Sequence, residues 1–530
     1  MSQVLESLEE RIKRNSLPSE AADVAAARLS VMRSAQPESF DYIDSKHYLD
    51  ELLTFPWEDQ ASGALDAAKA REVLDLGAYG PQRIPDDIAE YFAAMTSEGG
   101  PANVAEWPVP VLLGPAGIGK RTLARKFGQV TGRPVEIIQL ELTENDSDLF
   151  GVPNDRVRGR SGSIVQALNR ANRRDAIIVL AGVEWAVRSW QDHGLHLIRF
   201  VFDPAERARF RDRFLDVEMD LSQTLFVLTA LSLDVLPPEV ATRVFGVEWA
   251  GYTKSRKVET ISTSILPKLL ERYGLANEDF QIVDEGIESI VDEYTNDAGF
   301  EQAEIVLDLL CRKAAGARST GKSFPIPVDS EAIQQQLGAP RTYGDQIRAL
   351  VRPGMAKGIA LSAEGAAVET VEVAVVPGSE GFGPVGAVNE AVAKIIDLSY
   401  HYIRSRMTEM DISARQLYEY AYRVNLPGHP NEVSVQSLGL AVVVAFLSQI
   451  RDRLVDPELA LVGEITLNGR IVGSPGLQHL ILAAHRSGIR RVVIPGESQQ
   501  DLYDLPPDLA NDIAIIPVDD AEQAIRVALE

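Results

Sequence analysis

Cysteine is almost absent from this sequence: Cys311 is the single cysteine in 530 residues. One cysteine cannot form an intramolecular disulfide, so the chain is not a disulfide-stabilised scaffold and nothing points to an oxidising compartment. The surrounding stretch EIVLDLLCRKAA has the apolar spacing of a helix. We therefore predict that Cys311 is a buried small side chain rather than a reactive thiol.

Long apolar runs are also missing. No stretch approaches the ~18 apolar residues that a membrane-spanning helix requires. The N-terminal MSQVLESLEERIKRNS lacks the apolar centre of a signal peptide. The sequence alone therefore predicts a cytoplasmic protein that neither crosses nor binds a membrane.

Positive charge is scarce. Lysine and arginine number 52 against 77 acidic residues, which gives a formal net charge of −25. Such a chain repels nucleic acid and anionic lipid unless basic residues are segregated, and no long Lys/Arg run is present. We therefore expect no nucleic-acid partner. The length allows about three domains at roughly 150 to 200 residues each.

The apolar pattern changes three times along the chain. Helical spacing dominates the start, and short apolar runs alternate with helices from residue 109: PVPVLLG, PVEIIQLEL, AIIVLAG and TLFVLTAL. Such runs are typical of buried parallel strands with helical crossovers. A second helical block covers about 260–338. The last region mixes strands (VETVEVAVV, GEITLNGRIVG, RRVVIP, DIAIIPV) with helices, which is an α+β pattern.

A glycine-rich loop follows the first apolar run and precedes a helical stretch. It contains Gly114, Gly117, Gly119 and Lys120, in the context that a phosphate-binding loop requires. Its backbone N–H groups and its lysine can cradle phosphates. However, Arg121 stands where the motif has Ser or Thr, so we predict a degenerate phosphate loop.

The other parts of a nucleotide hydrolase are also missing. Magnesium requires the hydroxyl that Arg121 replaces, and Thr122 points about 100° away on a helix. The later strand AIIVLAG should end in two acidic residues, but it has Ala181 and Gly182. Glu184 follows two residues later, beyond the expected strand end. We predict no bound metal.

Several segments resemble the Lon protease family from end to end: LLTFPWE, REVLDLGAYG, GPAGIGK, SIVQALNRA, LPPEVATR, LPKLLERYGL, GEITLNGRIVG and GLQHLILAAHRSGIRRVVIP. The resemblance implies an α/β P-loop AAA+ module with a helical small subdomain, followed by an α+β Lon-type protease domain. The implied divisions are a helical N-terminal segment (1–58), the AAA+ large subdomain (59–250), the small subdomain (251–345) and the proteolytic domain (350–530). The family's large N-terminal domain is expected to be missing.

The resemblance also implies positions for other ATPase residues. A polar sensor would stand at Leu231, and an arginine for the γ-phosphate would stand in residues 299–301, which read Gly-Phe-Glu. Glu301 thus inverts the charge beside a triphosphate. Arg243 matches the arginine finger, for which an ion-pair role is the alternative reading. The aromatic residue of the family's pore loop corresponds to Arg156.

The proteolytic residues implied by the resemblance are a serine nucleophile and a lysine base. Ser437 stands in the nucleophile's place, within SVQSLG. The lysine's place, within PGLQHL, is taken by Gln478. Glutamine cannot accept a proton at a useful pH, so Gln478 cannot serve as the base.

Few other side chains can replace that base. Lys394 is the last lysine in the chain, and Lys357 lies near the start of the domain. The histidine candidates are His429, His479 and His485. If none of them serves, Ser437 is expected to hydrogen-bond the backbone at a helix start.

We therefore expect a Lon-like pseudoenzyme that acts as a chaperone-like, scaffold or regulatory oligomer. Its expected partners are unfolded or specific protein clients and further copies of itself in a hexameric ring. No cofactor is expected, and binding of ATP or ADP without hydrolysis is the alternative left open. The competing hypothesis is an ATP-independent serine peptidase that uses Ser437 with a non-standard base.

Overall fold

The computed structural model divides the chain into two compact units. The first comprises Met1–Ala78, Gln82–Gly114 and Gly119–Glu248, and the second comprises Tyr79–Pro81, Pro115–Ile118 and Trp249–Glu530. The residues that the structure describes are 2–58, 71, 73–74, 83–95, 103–153, 159–190, 192–276, 279–321, 324–325, 327–340, 352–362, 365–377, 381–386, 388–426, 436–473, 476–502, 505, 509 and 512–529.

Three helices begin the first unit: α1 (Ser2–Arg14), α2 (Ser19–Ser34) and α3 (Phe40–Thr54). Ser39 caps α3 by accepting a hydrogen bond from the amide of Tyr42 at 3.3 Å. Helices α2 and α3 pack closely, and the Tyr48 hydroxyl of α3 donates to the Leu215 carbonyl. This contact anchors the helical segment to the rest of the first unit.

A five-stranded parallel sheet forms the centre of the first unit, in the order β2-β3-β6-β1-β7. Its strands are β1 (Val109–Leu113), β2 (Val135–Gln139), β3 (Ile177–Ala181), β6 (Leu225–Ala230) and β7 (Val244–Glu248). Every residue of β1, β3 and β6 is buried, as their continuous apolar runs predict. The short strands β4 (Phe210–Arg211) and β5 (Glu218–Met219) pair separately.

Helices connect these strands. They are α4 (Arg83–Met95), α5 (Lys120–Thr131), α6 (Ser147–Phe150), α7 (Ser163–Ala171), α8 (Val183–Ser189), α9 (Asp192–Phe202) and α10 (Pro204–Ala208). Because the sheet is parallel, the loops that follow β1, β3 and β6 meet at one edge. Ligands of open α/β sheets bind at that edge.

The second unit begins with helices: α11 (Lys254–Thr260), α12 (Leu266–Tyr273), α13 (Asp284–Ser289), α14 (Glu301–Ser319) and α15 (Ser330–Leu337). A wider helical turn at Ile261–Ile265 joins α11 to α12, and another at Ile290–Tyr294 extends α13. Pro267 has no amide hydrogen to donate, and the first of these turns accommodates it. Cys311 is buried on α14, as predicted, and burial raises its pKa to about 11.

A seven-stranded mixed sheet follows, in the order β10-β11-β9-β8-β12-β15-β16. Its strands are β8 (Met355–Ser362), β9 (Gly365–Pro377), β10 (Phe382–Pro384), β11 (Tyr420–Asn425), β12 (Leu459–Leu461), β15 (Arg491–Pro495) and β16 (Ala514–Val518). Strands β8 and β9 pair antiparallel, whereas β8, β12, β15 and β16 run parallel. A small hairpin pairs β13 (Glu464–Ile465) with β14 (Ile471–Val472).

The helices beside this sheet are α16 (Glu390–Ser405), α17 (Ala414–Tyr418), α18 (Gly439–Arg451), α19 (Leu477–Arg486) and α20 (Ala521–Leu529). Helix α18 is buried at every position from Gly439 to Ser448. A helix that is apolar on all sides belongs in the core, and α18 packs against β8, β9 and α16.

The predicted fold class is confirmed: a parallel α/β sheet of the P-loop type, a helical region and an α+β region follow one another. One predicted strand was too long, because Leu140–Leu142 forms a tight helical turn after β2. Strands β4, β5, β7, β8, β10, β11 and β12 were not predicted. The domain boundaries 1–58, 59–250, 251–345 and 350–530 stay a prediction.

Candidate functional site

The glycine-rich loop between β1 and α5 has the backbone that its sequence predicts. Gly114, Gly117 and Gly119 have φ values of 131°, 75° and 96°. Side chains other than glycine rarely adopt this left-handed region. Lys120 begins α5, so the lysine stands at a helix N-terminus. This is the geometry of a phosphate-binding loop.

The side chain of Lys120 is held within the first unit by protein groups. Its ammonium donates to the Gly114 carbonyl. Burial lowers the pKa of Lys120 to about 8, while the nearby carboxylates of Glu184 and Glu141 oppose this shift. Arg121 and Thr122 are both exposed. The lysine therefore already has anionic neighbours in the protein itself.

Glu184 lies in the first turn of α8, two residues beyond Gly182, which caps the helix with φ 79°. It is past the end of β3, as expected. Burial raises the pKa of Glu184, although Lys120 opposes the shift. The Gly182 amide donates to the Thr229 hydroxyl at 3.1 Å, so this polar group at the end of β6 serves the backbone. Sequence reasoning missed Thr229.

The middle of the loop, Pro115–Ile118, belongs to the second unit, where its carbonyls are clamped. The Gly117 carbonyl accepts from the Phe300 amide at 3.1 Å. The Ile118 carbonyl accepts from the Tyr252 hydroxyl at 2.7 Å and from Trp249 Nε1 at 3.3 Å. We call these three donors and the two carbonyls the loop clamp.

Glu301 lies directly against the loop. A Cβ placed on Gly117 would be 3.1 Å from the Glu301 Cβ and 3.5 Å from its Oε2. A carboxylate therefore stands where the resemblance expects an arginine for the γ-phosphate, and it would repel a triphosphate. In the first unit, Arg121 stands in place of a hydroxyl and Ala181-Gly182 in place of two acids, so these positions lack the oxygen ligands that magnesium prefers.

The resemblance also implies an arginine finger at Arg243 and a polar sensor at Leu231. Arg243 donates through Nη2 to the Ala105 carbonyl at 2.9 Å, so its guanidinium is bound to backbone rather than to a carboxylate. Leu231 follows β6 directly, and no polar sensor stands there. Arg156, the residue at the pore-loop position, lies outside the described residues.

Ser437 lies in a tight turn, Gln436–Leu438, directly before α18. Its side chain is buried, and its hydroxyl donates to the Ile359 carbonyl of β8 at 2.6 Å. Its own carbonyl accepts from the Gly463 amide at 3.0 Å. An amide carbonyl cannot remove the hydroxyl proton, so this contact fixes the serine without activating it.

Gln478 occupies the first turn of α19, after Gly476 with φ 73°. Its Nε2 donates to the Asp501 carbonyl at 3.1 Å. The structure thus joins Ser437 to β8 and Gln478 to the segment Gly496–Leu502. In the described part of the chain, the side chains of Ser437 and Gln478 are not hydrogen-bonded to each other.

The two remaining lysines are directed elsewhere. Lys357 Nζ donates to the Pro457 carbonyl at 2.5 Å, whereas the Ser437 hydroxyl donates to the carbonyl of Ile359, two residues further along β8. Burial lowers the pKa of Lys357 to about 8, opposed by Asp456 and Glu458. Lys394 is exposed on α16.

The histidines differ in their surroundings. His485 Nε2 lies 3.0 Å from Asp512 Oδ2. His479 is buried and packs against Gly476. His429 lies outside the described residues. Within the described part of the chain, no histidine hydrogen-bonds Ser437. None of the described helices is long and apolar enough to cross a membrane.

Comparison with known proteins agrees with this architecture. Residues 327–530 match the family described as the Lon protease (S16) C-terminal proteolytic domain, and residues 110–213 match the AAA domain of the dynein-related subfamily. The chain is 29% identical over 526 residues to the Lon protease of Desulfovibrio desulfuricans, and 29% identical over 522 residues to that of Rhizobium meliloti. It is 28% identical over 526 residues to Lon protease 2 of Sorangium cellulosum.

These matches cover 98–99% of this chain but only 59%, 64% and 65% of the three relatives. The chain thus spans about three fifths of the length of the curated relatives that it matches. Residues 327–530 thus belong to the Lon-type proteolytic domain family and residues 110–213 to an AAA domain family, and similarity to Lon proteases extends along nearly the whole chain.

Proposed function

We propose that this chain binds protein clients as an oligomer and performs neither ATP hydrolysis nor Ser/Lys proteolysis. The observation that carries the proposal is the state of the two proteolytic positions. The Ser437 hydroxyl is bound to the Ile359 carbonyl, and the lysine's position holds Gln478, bound to the Asp501 carbonyl. Serine attack requires a group that takes up the hydroxyl proton, and neither carbonyl can do so.

The nucleotide loop supports the same reading. Its lysine has two protein carboxylates nearby, and its Gly117 lies against Glu301. ATP hydrolysis also requires a magnesium ligand and a base for the attacking water. The sequence offers Arg121 and Ala181-Gly182 at those positions.

Binding of clients is supported by an exposed apolar group around α8. Leu142, Trp185 and Leu233 are exposed by 78%, 45% and 45%. Helix α8 packs against both turns that carry the two leucines, so the three side chains lie on adjoining elements of the first unit. Neighbouring exposed apolar side chains mark surfaces that bind other proteins. We call these three residues the apolar edge.

The test is an assay of cleavage and aggregation with one unfolded substrate. Purified protein and the Ser437→Ala variant are incubated with unfolded casein, with and without magnesium-ATP, beside an active Lon-family protease as the positive control. Both forms are expected to leave casein intact and to suppress its aggregation equally. Cleavage that disappears in Ser437→Ala would support the competing serine peptidase instead.

A nucleotide titration tests the other half of the proposal. Calorimetry with ATP and with ADP, on wild type and Lys120→Ala, is expected to give no heat that depends on Lys120. A Lys120-dependent affinity without turnover would show a nucleotide-gated binder. Sedimentation velocity tests the proposed oligomer, and a single monomeric species at micromolar concentration would count against a ring.

A further inference from the structure

Three exposed apolar side chains lie at one end of the helical hairpin that α2 and α3 form. Val31 near the end of α2 is 40% exposed, and Phe40 and Ile43 at the start of α3 are exposed by 66% and 58%. Residues three apart on a helix lie on the same face, so Phe40 and Ile43 are neighbours. Neither candidate site uses these side chains. We call the three residues the hairpin tip.

An ion pair places Val31 beside the start of α3. The guanidinium of Arg28 on α2 lies 2.9 Å from the Asp44 carboxylate and 4.6 Å from the centre of the Tyr48 ring. Val31 stands one turn after Arg28, and Phe40 stands one turn before Asp44. Because α3 follows α2 after a short connection and packs closely against it, both turns lead toward that connection. The hairpin tip is therefore one patch formed by two helices.

The same face of α3 is covered by the protein further along the helix. The ring of His47, one turn after Ile43, lies 5.4 Å from the Phe214 ring. One turn further, Asp50 pairs with Arg11 of α1 at 2.8 Å. The exposed apolar residues thus continue a face that already makes contacts within the first unit. Neighbouring exposed apolar side chains mark surfaces that bind other proteins.

The unpaired charges beside the hairpin tip are acidic. Glu38 in the connection and Asp41 in the first turn of α3 are exposed, and no described residue forms an ion pair with either. The bases nearby are engaged: the guanidinium on α2 binds its carboxylate, and Lys46 lies 3.5 Å from Asp50. Two copies of the tip would bring like charges together, which disfavours self-association through this surface. A partner with basic side chains would instead complement it.

We propose that the hairpin tip binds an amphipathic helix of another protein, in which lysine or arginine flanks the apolar face. Apolar side chains of that helix cover Val31, Phe40 and Ile43, in the manner of helices that anchor through residues three and four apart. Its basic side chains pair with Glu38 and Asp41. The tip lies on other elements than the apolar edge, so this inference goes beyond the proposed function and does not depend on it.

The direct test is the binding of two labelled peptides of equal length to the purified full chain. One is an amphipathic helix of leucine and lysine, and the other has glutamate in place of each lysine. Fluorescence anisotropy, supported by calorimetry, measures both affinities at low and at high salt. We expect the lysine peptide to bind more tightly, with an affinity that falls as the salt concentration rises.

A serine substitution tests the apolar part of the contact. Phe40→Ser should weaken binding of the lysine peptide at least about tenfold, because burying a phenylalanine contributes at least the corresponding free energy. Leu454→Ser is the matched control, since it removes a 56%-exposed apolar side chain in the second unit, and it should leave the affinity unchanged. Thermal unfolding checks that both variants fold like wild type.

A charge reversal tests the electrostatic part. Glu38→Lys should weaken binding of the lysine peptide and reduce its dependence on salt. Glu271→Lys makes the same change at an exposed position of α12 and should alter neither. Trp185→Ser should also leave the binding unchanged, which separates the hairpin tip from the apolar edge.

Several results would overturn the proposal. Equal affinities for the lysine and glutamate peptides would remove the basic partner, and equal losses in Phe40→Ser and Leu454→Ser would remove the tip. If the chain associated with itself without peptide and Phe40→Ser abolished that association, the occupant would be a second copy. Binding lost in Trp185→Ser but kept in Phe40→Ser would place the peptide at the apolar edge.

Discussion

The loop clamp gives a sharp prediction at Gly299. A Cβ at this position would lie 2.2 Å from both the carbonyl carbon and the oxygen of Gly117, and 2.7 Å from the Ile118 nitrogen. All three are backbone atoms, so no rotation of a side chain relieves the overlap. Gly299→Ala must therefore push the loop away from the adjacent Phe300 amide.

The expected cost follows from the contacts that the shift breaks. Overpacking a tight site by one methyl group costs about 1 to 3 kcal/mol. Moving the loop also weakens the hydrogen bond from the Phe300 amide to the Gly117 carbonyl, which contributes about 1 kcal/mol within that range. For a domain of this size, Tm falls by about 2 to 4 °C for each kcal/mol of lost unfolding free energy. The Tm of Gly299→Ala should therefore fall by about 2 to 12 °C.

Gly316→Ala provides a matched control in the same unit. Gly316 lies on the exposed side of α14, and a Cβ there would meet no atom within 4 Å. Replacing Gly316 by alanine should raise the free energy of unfolding by up to about 1 kcal/mol, because alanine favours the helix. Differential scanning calorimetry of wild type and the two variants, supported by limited proteolysis, should show a lower Tm for Gly299→Ala and a higher Tm for Gly316→Ala.

The reasoning would be refuted if Gly299→Ala unfolded at the wild-type temperature or above it. It would also be refuted if Gly316→Ala lost as much stability as Gly299→Ala, since the effect would then come from loss of glycine and not from the close approach. If the Tm of Gly299→Ala fell but its limited-proteolysis pattern near the loop matched that of wild type, the strain would lie elsewhere in the chain.

Three further predictions concern single side chains. Removing the hydroxyl in Ser437→Ala leaves the Ile359 carbonyl without its donor, and chemical denaturation should show a loss of about 1 to 3 kcal/mol; an unchanged midpoint would mean the hydrogen bond contributes little. The pKa of Lys357 is about 8 in the folded chain against 10.5 ordinarily. Between these values only the unfolded chain keeps the proton, so wild type gains stability relative to Lys357→Met as pH rises from 8 to 10. Denaturation at several pH values measures this difference, and a constant value would contradict the shift. Trp185→Ser should weaken suppression of casein aggregation, whereas Ile305→Ser, which removes a 63%-exposed apolar side chain on α14, should not; equal loss in both would remove the apolar edge from the proposal.

The parallel sheet was predictable because its strands are buried on both faces. VPVLL, IIVLA and LFVLTA are continuous apolar runs, and the structure buries every residue of β1, β3 and β6. The loop after β1 was predictable for a related reason. Its glycines stand where the backbone requires positive φ, so the residue type reports the conformation.

Strand β8 was missed because its sequence, MAKGIALS, interrupts the apolar pattern with Lys357 and Gly358. Both residues are explained by contacts with parts of the chain that are distant in sequence. A Cβ at Gly358 would lie 2.5 Å from Leu438 Cδ2 and 3.0 Å from the Ala441 Cβ of α18, so glycine lets α18 approach the strand. Lys357 is tolerated because its ammonium reaches the Pro457 carbonyl. Neither partner is near in sequence.

The identity of the site residues could be predicted, but their bonding could not. The sequence identifies Ser437 and Gln478 through the resemblance to the Lon family. It does not reveal that each side chain binds a backbone carbonyl, because Ile359 lies 78 residues from Ser437 in the chain. Acceptors of this kind carry no side-chain signature.

Under the proposed function, the hydrogen bond between Ser437 and β8 also bears on how proteolysis could be recovered. Introducing a basic amine at position 478 alone would supply a proton acceptor, but the hydroxyl would still be directed at the strand. Recovery of cleavage would require a second change that frees the hydroxyl, and that change would remove a donor from the Ile359 carbonyl. Under the proposed function, two coordinated substitutions therefore separate this chain from catalysis.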